Sequence, residues 1–241
     1  MHPTVLSKVL LFLVLGSGSC FASEERVTTA RANTTAAIHA LYKKAGVAYP
    51  PRKMLLRAFK EDKLIEVWAG DGKSPLALVT TYPVCAQSGR VGPKRREGDA
   101  QVPEGVYALD RFNPQSNFHL SLGLNYPNDS DRRRSKAKRL GGDIFIHGNC
   151  VTIGCLPIQD GPMEELYVMT VDARSAGAKP IVVHVFPARM TAENLARLQP
   201  LVTPETTALW KELTLVQEAF DATHVIPKVR IGEAGEYVVV K

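Results

Sequence analysis

The chain has 241 residues, 45% of them hydrophobic and 22% charged, with a formal net charge of +6. Its 18 Gly, 16 Pro and abundant Val, Leu and Ile exclude collagen-like, coiled-coil and wholly disordered chains, and a single short apolar run excludes a multi-span membrane protein. The length suits one domain with trimmings, and the modest basic excess suits polyanionic partners of a cell envelope rather than nucleic acid.

In chain order, the apolar run from Val9 to Leu15 follows Lys8 and leads into small residues and Cys20-Phe21-Ala22. A basic start, a short apolar centre and a small-residue exit predict a secretory signal peptide over residues 1–22, cleaved after Ala22. The run is too short to span a bilayer comfortably, and Gly18-Ser19 is a poor lead for a lipid anchor on Cys20. The cleaved chain is therefore expected to have no stable membrane anchor, with an uncleaved anchor as the alternative reading. Residues 23–50 read as a helical segment and linker: Ile38, Leu41 and Tyr42 recur at helical spacing from Glu24 to Ala45, Gly46 closes the helix, and Tyr49-Pro50-Pro51 is a stiff joint.

Short β-type runs follow at 54–59, 64–68 and 76–82, separated by Glu61-Asp62 and Gly70-Asp71-Gly72, which predicts an antiparallel meander. Residues 88–105 are rich in Gly, Pro and charge and read as loop; further strands are predicted at 106–109, 118–122 and 143–147. Pro162 opens a helix to Ala173, residues 181–186 form a buried strand, Thr191 caps a helix to Leu198, and Pro204 leads a helix from Glu205 to Phe220. The tail holds a short strand from Tyr237 to Val240, or dangles. Basic residues concentrate at Lys94-Arg95-Arg96 and from Arg132 to Arg139, as solvated loops or as contacts to an anionic partner. The fold class is α+β, mainly β, with a β-rich domain over residues 51–190 and C-terminal helices and tail over 191–241.

After loss of the leader, Cys85, Cys150 and Cys155 remain, and an odd count in an exported chain leaves a thiol over. An apolar strand delivers His147 to its end, Gly148 lets the chain turn, and Cys155 follows eight residues after the histidine. A thiol nucleophile needs a proton acceptor, which an imidazole supplies, and the pairing predicts a depressed thiol pKa. Gly154 leaves room for a carbonyl to approach and frees the backbone to aim N–H groups at an oxyanion. Other readings are a structural histidine with a buried cysteine, and a metal site of His147, Cys150 and Cys155, which lacks paired spacing and a fourth ligand. A Cys150–Cys155 redox pair has four intervening residues where such motifs have two. No cofactor or metal is expected, and His39, His119, His184 and His224 are assigned no chemistry.

The chain resembles the L,D-transpeptidase catalytic domain (YkuD) family, in its YafK-like, DpaA-type branch. The resemblance rests on Gly92-Pro93-Lys94 with Glu97-Gly98-Asp99, then Pro103-Glu104-Gly105-Val106-Tyr107, then Tyr126-Pro127-Asn128 with Asp131-Arg132, then His147-Gly148-Asn149-Cys150-Val151 with Gly154-Cys155. These blocks come in the family's order over roughly residues 53–190. The resemblance implies a mixed β-sheet sandwich or barrel with flanking helices. It implies a cysteine enzyme of peptidoglycan that attacks the L-centre carbonyl of the third stem residue, a diamino acid, and passes the thioester to an amine. By position, Cys155 matches the nucleophile, His147 the general base and Gly148 the carbonyl that orients it, while the N–H groups of Gly154 and Cys155 face the oxyanion. Asn128 and Arg132 are candidates to hold a stem-peptide carboxylate, with local capping as the alternative, and Cys85 with Cys150 are candidates for a disulfide or for two free thiols.

Two positions depart from the wider family. Ile153 replaces a second histidine, and Pro157 stands where Arg or Asn is usual; the YafK-like branch shares both departures. They leave the acyl acceptor open between an amine and water, the latter releasing wall-linked lipoprotein or trimming stems. A non-catalytic wall-binding module is the alternative outside enzymes. The implied partners are stem peptides and wall-linked lipoprotein, and the implied place is a Gram-negative periplasm.

Overall fold

The computed structural model describes residues 18–240, with side chains from residue 24 onward. The apolar leader run from Val9 to Leu15 lies outside the described residues, and helix α1 (Gly18–Ala45) runs continuously across the expected cleavage junction.

A curled, eight-stranded mixed sheet forms the centre, in the order β3-β2-β1-β8-β4-β5-β6-β7. Strands β1 (Lys53–Phe59), β2 (Leu64–Gly70) and β3 (Ala77–Pro83) form the expected meander. β8 (Val182–Phe186) then runs parallel to β1 and antiparallel to β4 (Gly105–Asn113), so the sheet is mixed rather than a simple meander. β5 (Ser121–Leu124), β6 (Phe145–His147) and the two-residue β7 (Leu156–Pro157) complete it, with β6 and β7 parallel.

The apolar run of β1 is explained by burial on both faces. Met54, Leu56 and Ala58 point into the main core with Ile38 and Tyr42 of α1 and Met163, Leu166 and Met169 of α3 (Asp160–Ser175). Phe59 points the other way, toward Trp210, Leu213 and Val216 of α5 (Pro204–Thr223), and Leu55 meets Phe220 of the same helix. β8 alternates likewise: Val183 and Val185 join the main core, and Phe186 faces α5. The short helix α4 (Ala192–Leu198) adds Leu198 to that second cluster.

The helix starts follow their side chains. Thr191 accepts the N–H of Asn194 at α4, and Thr203 accepts that of Thr206 at α5, where Pro204 stands in the first turn. A helix absent from the expectations, α2 (Asp129–Arg134), is closed by a capping box between Asn128 and Asp131. β5 begins at Ser121 rather than at Phe118 because His119 takes a φ of 68°, and β6 begins at Phe145 because Asp143 takes a φ of 54°. The tail is a hairpin, β9 (Val229–Ile231) with β10 (Tyr237–Val239), and Tyr237 is buried.

A buried hub ties the 88–104 loop to both flanks. The Glu104 carboxylate accepts from Lys60 at 2.8 Å, from Trp210 Nε1 at 2.7 Å and from the Gly92 N–H at 3.2 Å. In the same loop, Asp99 accepts from the N–H groups of Arg95, Arg96 and Gln101 and from Lys94 Nζ, folding it into a rigid turn.

Candidate active site

β6 ends at His147, and its parallel partner β7 begins one residue after Cys155, so the sheet itself brings the two side chains to one edge. Between them the chain loops out through residues 148–154. Gly148 has no room for a side chain: a Cβ there would lie 2.9 Å from the Phe118 carbonyl and 3.0 Å from His119 Cβ. Asn149 takes a φ of 61° and donates its N–H to the Asp160 carboxylate at 2.7 Å, while Cys150 is joined to Cys85 as a disulfide. Gly154 has a φ of +137°, and a Cβ there would meet the Gln101 carbonyl at 2.9 Å, so this position requires glycine on both counts.

His147, Cys155, Phe118, Val151, Thr152 and Ile153 line one cavity of about 240 Å³. Its rim is apolar and open: Ile153 is 85% exposed and Val151 51%. The Phe118 ring lies 4.7 Å from that of His147. A larger cavity of about 570 Å³ between Arg95, Arg134 and Thr203 holds no cysteine or histidine.

The imidazole is oriented through the Gly148 carbonyl, 2.5 Å from Nδ1. With Nδ1–H donating there, Nε2 carries the lone pair, a tautomer assigned by the hydrogen bond. Burial lowers the His147 pKa below its ordinary value, and the Gly148 carbonyl offsets this only in part. The Cys155 thiol donates to the Asp143 carbonyl at 3.6 Å. Burial raises its pKa above the ordinary thiol value; the Phe145 N–H and Lys94 pull it down, and the Asp143 charge pushes it up. The expected depressed thiol is therefore corrected: at neutral pH both groups are uncharged.

Three further expectations meet a different geometry. The N–H groups of Gly154 and Cys155 are occupied in this state, both donating to Thr152 Oγ1, at 3.1 and 2.8 Å. Asn128 takes the capping alternative, its Oδ1 closing α2 while its Nδ2 donates to the Val106 carbonyl and to Tyr237 Oη; it lines, with Arg132, a polar cavity other than that of Cys155. Arg132 is exposed, pairs with Asp129 at 3.2 Å and lines a separate polar cavity with Asp110 and Asn125. Cys150, held in the disulfide, is available neither as a metal ligand nor as a redox partner for Cys155, the one free cysteine among the described residues.

Thr152 heads the stretch that corresponds to the wider family's Ser/Thr-His-Gly-Cys pattern but was assigned no role, although a hydroxyl residue two and three places before paired N–H groups is a known turn-forming spacing. Phe118 was missed for a different reason: nothing local in the sequence tells that it reaches His147.

The L,D-transpeptidase catalytic domain family (YkuD) matches residues 51–183. The Escherichia coli protein YafK, named provisionally as an L,D-transpeptidase, is 30% identical over 188 residues, covering 77% of this chain and 73% of its own. A single-site variant of Pgp2 from Campylobacter jejuni, titled a helical cell shape determining protein, superposes with a TM-score of 0.46 at 23% identity, over 70% of this chain and 61% of that one. Mycobacterium tuberculosis L,D-transpeptidase 1 superposes with a TM-score of 0.32 at 10% identity, over 56% of this chain and 62% of its own.

Proposed function

Because the chain belongs to the L,D-transpeptidase catalytic domain (YkuD) family, we propose that it is an exported cysteine acyltransferase of peptidoglycan stem peptides. The catalytic unit is residues 51–190, and the described parts of the flanks, 24–50 and 191–240, pack on it. The observation that carries the reading is the shared cavity of His147 and Cys155, with an imidazole already turned by Gly148 so that Nε2 is free to take a proton.

Both groups start neutral, so proton transfer accompanies attack. Cys155 Sγ adds to the L-centre carbonyl of the third stem residue as its proton passes to His147 Nε2. The tetrahedral oxyanion collapses, the C–N bond to the terminal D-residue breaks, and His147 gives its proton to the departing amine. A thioester on Cys155 remains. An incoming amine, deprotonated by His147, forms the new amide and restores the thiol. The glycines at 148 and 154 serve by their small size, letting substrate and loop approach the strand edge closely.

The cavity wall favours a second reading for the last step. Phe118, Val151 and Ile153 are apolar, and no charged side chain among the lining residues is placed to hold an ammonium acceptor; water needs no such group. Attack by water would release the acyl chain as a carboxylate, trimming stems or freeing wall-linked lipoprotein.

Mature protein and its Cys155→Ala variant are incubated with peptidoglycan, with and without linked lipoprotein, and the fragments are weighed by mass spectrometry. New cross-links or exchanged terminal D-amino acids from wild type alone establish transfer; lost linkages with solvent oxygen incorporated establish hydrolysis. Either product falls at least about 10³-fold in the variant. Identical fragments from both proteins overturn catalysis and leave a wall-binding module.

A further inference from the structure

The hydroxyl of Thr152 is bound as an oxyanion would be. Its oxygen accepts from Gly154 N at 3.1 Å and Cys155 N at 2.8 Å, and its hydrogen goes to the Cys155 carbonyl at 2.9 Å. That donation turns the oxygen lone pairs onto the two amides, so the N–H vectors converge on one oxygen-sized spot beside the thiol. Neither amide has another acceptor among the described residues, and the Gly154 conformation, with φ at +137°, is what lets consecutive N–H groups point the same way. Thr152 also lines the cavity with His147 and Cys155, so its hydroxyl sits where a substrate carbonyl would compete for the same amides.

We propose that Thr152 is the positioning residue of the oxyanion hole: its hydroxyl holds the Gly154 and Cys155 amides convergent in the resting enzyme and yields their focus to the substrate oxygen. This rests on the acyl-enzyme reading above and adds to it a residue that makes no bond to the reacting carbonyl. The displacement is favourable in charge, because an oxyanion is a much stronger acceptor than a neutral hydroxyl. Between turnovers the hydroxyl keeps two partly buried N–H groups satisfied, which holds the turn in shape at no cost in unpaired donors. Without it, Gly154 has no side chain to restrain its own backbone, and the amides lose their common target.

The test compares two reactions of Cys155 that differ only in whether an oxyanion forms. With p-nitrophenyl acetate the sulfur adds to a carbonyl, its proton passes to His147, the C–S bond forms and the C–O bond breaks with loss of p-nitrophenolate. With iodoacetamide the sulfur displaces iodide at a saturated carbon, and no oxyanion arises. Rates are measured for wild type, Thr152→Ser, Thr152→Val and Thr152→Ala, with Cys155→Ala as the blank. We expect both hydroxyl-less variants to acylate about 10- to 100-fold more slowly, the range for losing oxyanion stabilisation, while alkylation stays within about twofold. Thr152→Ser keeps the wild-type ratio of the two rates. Acylation and alkylation falling together would mark Thr152 as a merely structural brace, and acylation unchanged or faster would show that it does not position the amides; each overturns the inference. Should wild type itself resist the ester while iodoacetamide still labels Cys155, the acyl-enzyme reading fails, a result distinct from any pattern among the Thr152 variants.

Discussion

Burial shifts His147 and Cys155 in opposite directions and disfavours the charged form of both. An imidazolium is penalised by desolvation, so the histidine pKa falls; a thiolate is penalised in the same way, so the cysteine pKa rises. A preformed thiolate–imidazolium pair would need a carboxylate or an amide side chain behind the ring, and here the ring is backed by the Gly148 carbonyl alone. The rate of Cys155 alkylation by iodoacetamide is therefore expected to climb continuously from pH 6 to beyond the ordinary thiol pKa of about 8.5. A flat rate between pH 5 and 8 would mean the ion pair exists at rest. That His147 and Cys155 meet was legible early because β6, the loop and β7 are contiguous in sequence, so histidine, glycines and cysteine carry their spacing with them. The capping role of Asn128 was legible too, as one of its two readings, because its partner Asp131 is three residues away. Its bonds to Val106 and Tyr237 were not, since those partners come from distant segments.

Among the elements, α1 shows how a helix with a poorly amphipathic sequence is still fixed in place. Its Ala30, Ile38 and Tyr42 enter the core, but Arg31 supplies the orientation through two bonds to Asp172 of α3, at 2.8 and 2.6 Å, joined by Tyr49 Oη at 2.6 Å. Burial alone would raise the Asp172 pKa; the bonds from Arg31 and Tyr49 outweigh it and hold the carboxylate below its usual value. A depressed folded-state pKa gives stability that is present above the unfolded value, about 3.9, and lost as pH falls through the folded value. Asp172→Asn is accordingly expected to cost about 1–2 kcal/mol at pH 7, a range reduced for the solvent around half-exposed Arg31. Urea unfolding at a series of pH values should show the difference from wild type shrinking below pH 4; a difference independent of pH would assign the loss to packing rather than charge. The longer helices and α4 were readable from caps and spacing, with Thr191 and Pro204 doing locally what their types dictate, whereas the six-residue α2 was too short to show a period. The strands β7 and β9 were not, because two or three residues carry no period.

At the scale of the whole molecule, the family match ends at residue 183, yet the sheet does not end its packing there. One face of β1 and β8 presents Phe59 and Phe186, and what covers them comes from residues beyond the match: Leu198, Leu209, Trp210, Leu213, Val216 and Tyr237. Each large apolar side chain buried in this way contributes about 1.5–3 kcal/mol. The α5 face alone therefore supplies on the order of 10 kcal/mol before entropy, comparable to the whole stability of an ordinary domain, about 5–15 kcal/mol. The polar hub adds to this dependence, because Glu104 loses its Trp210 partner if α5 is absent while Lys60 stays buried beside it. Since the Gln101 carbonyl of the same loop lies close against Gly154, disorder there reaches the turn before Cys155 directly. The helices after residue 190 read only as flanking elements, because an amphipathic pattern says that a face is covered without saying by what. A chain truncated after residue 190 is expected to lose its cooperative thermal transition, to bind the dye ANS through the bared sheet face and to lose Cys155 acylation. Adding residues 191–241 as a separate peptide should restore part of the transition if the interface carries the energy assigned to it. A truncated chain that melts cooperatively near the wild-type temperature would show that the sheet and α1 suffice, and that α5 is an attachment rather than half of the core.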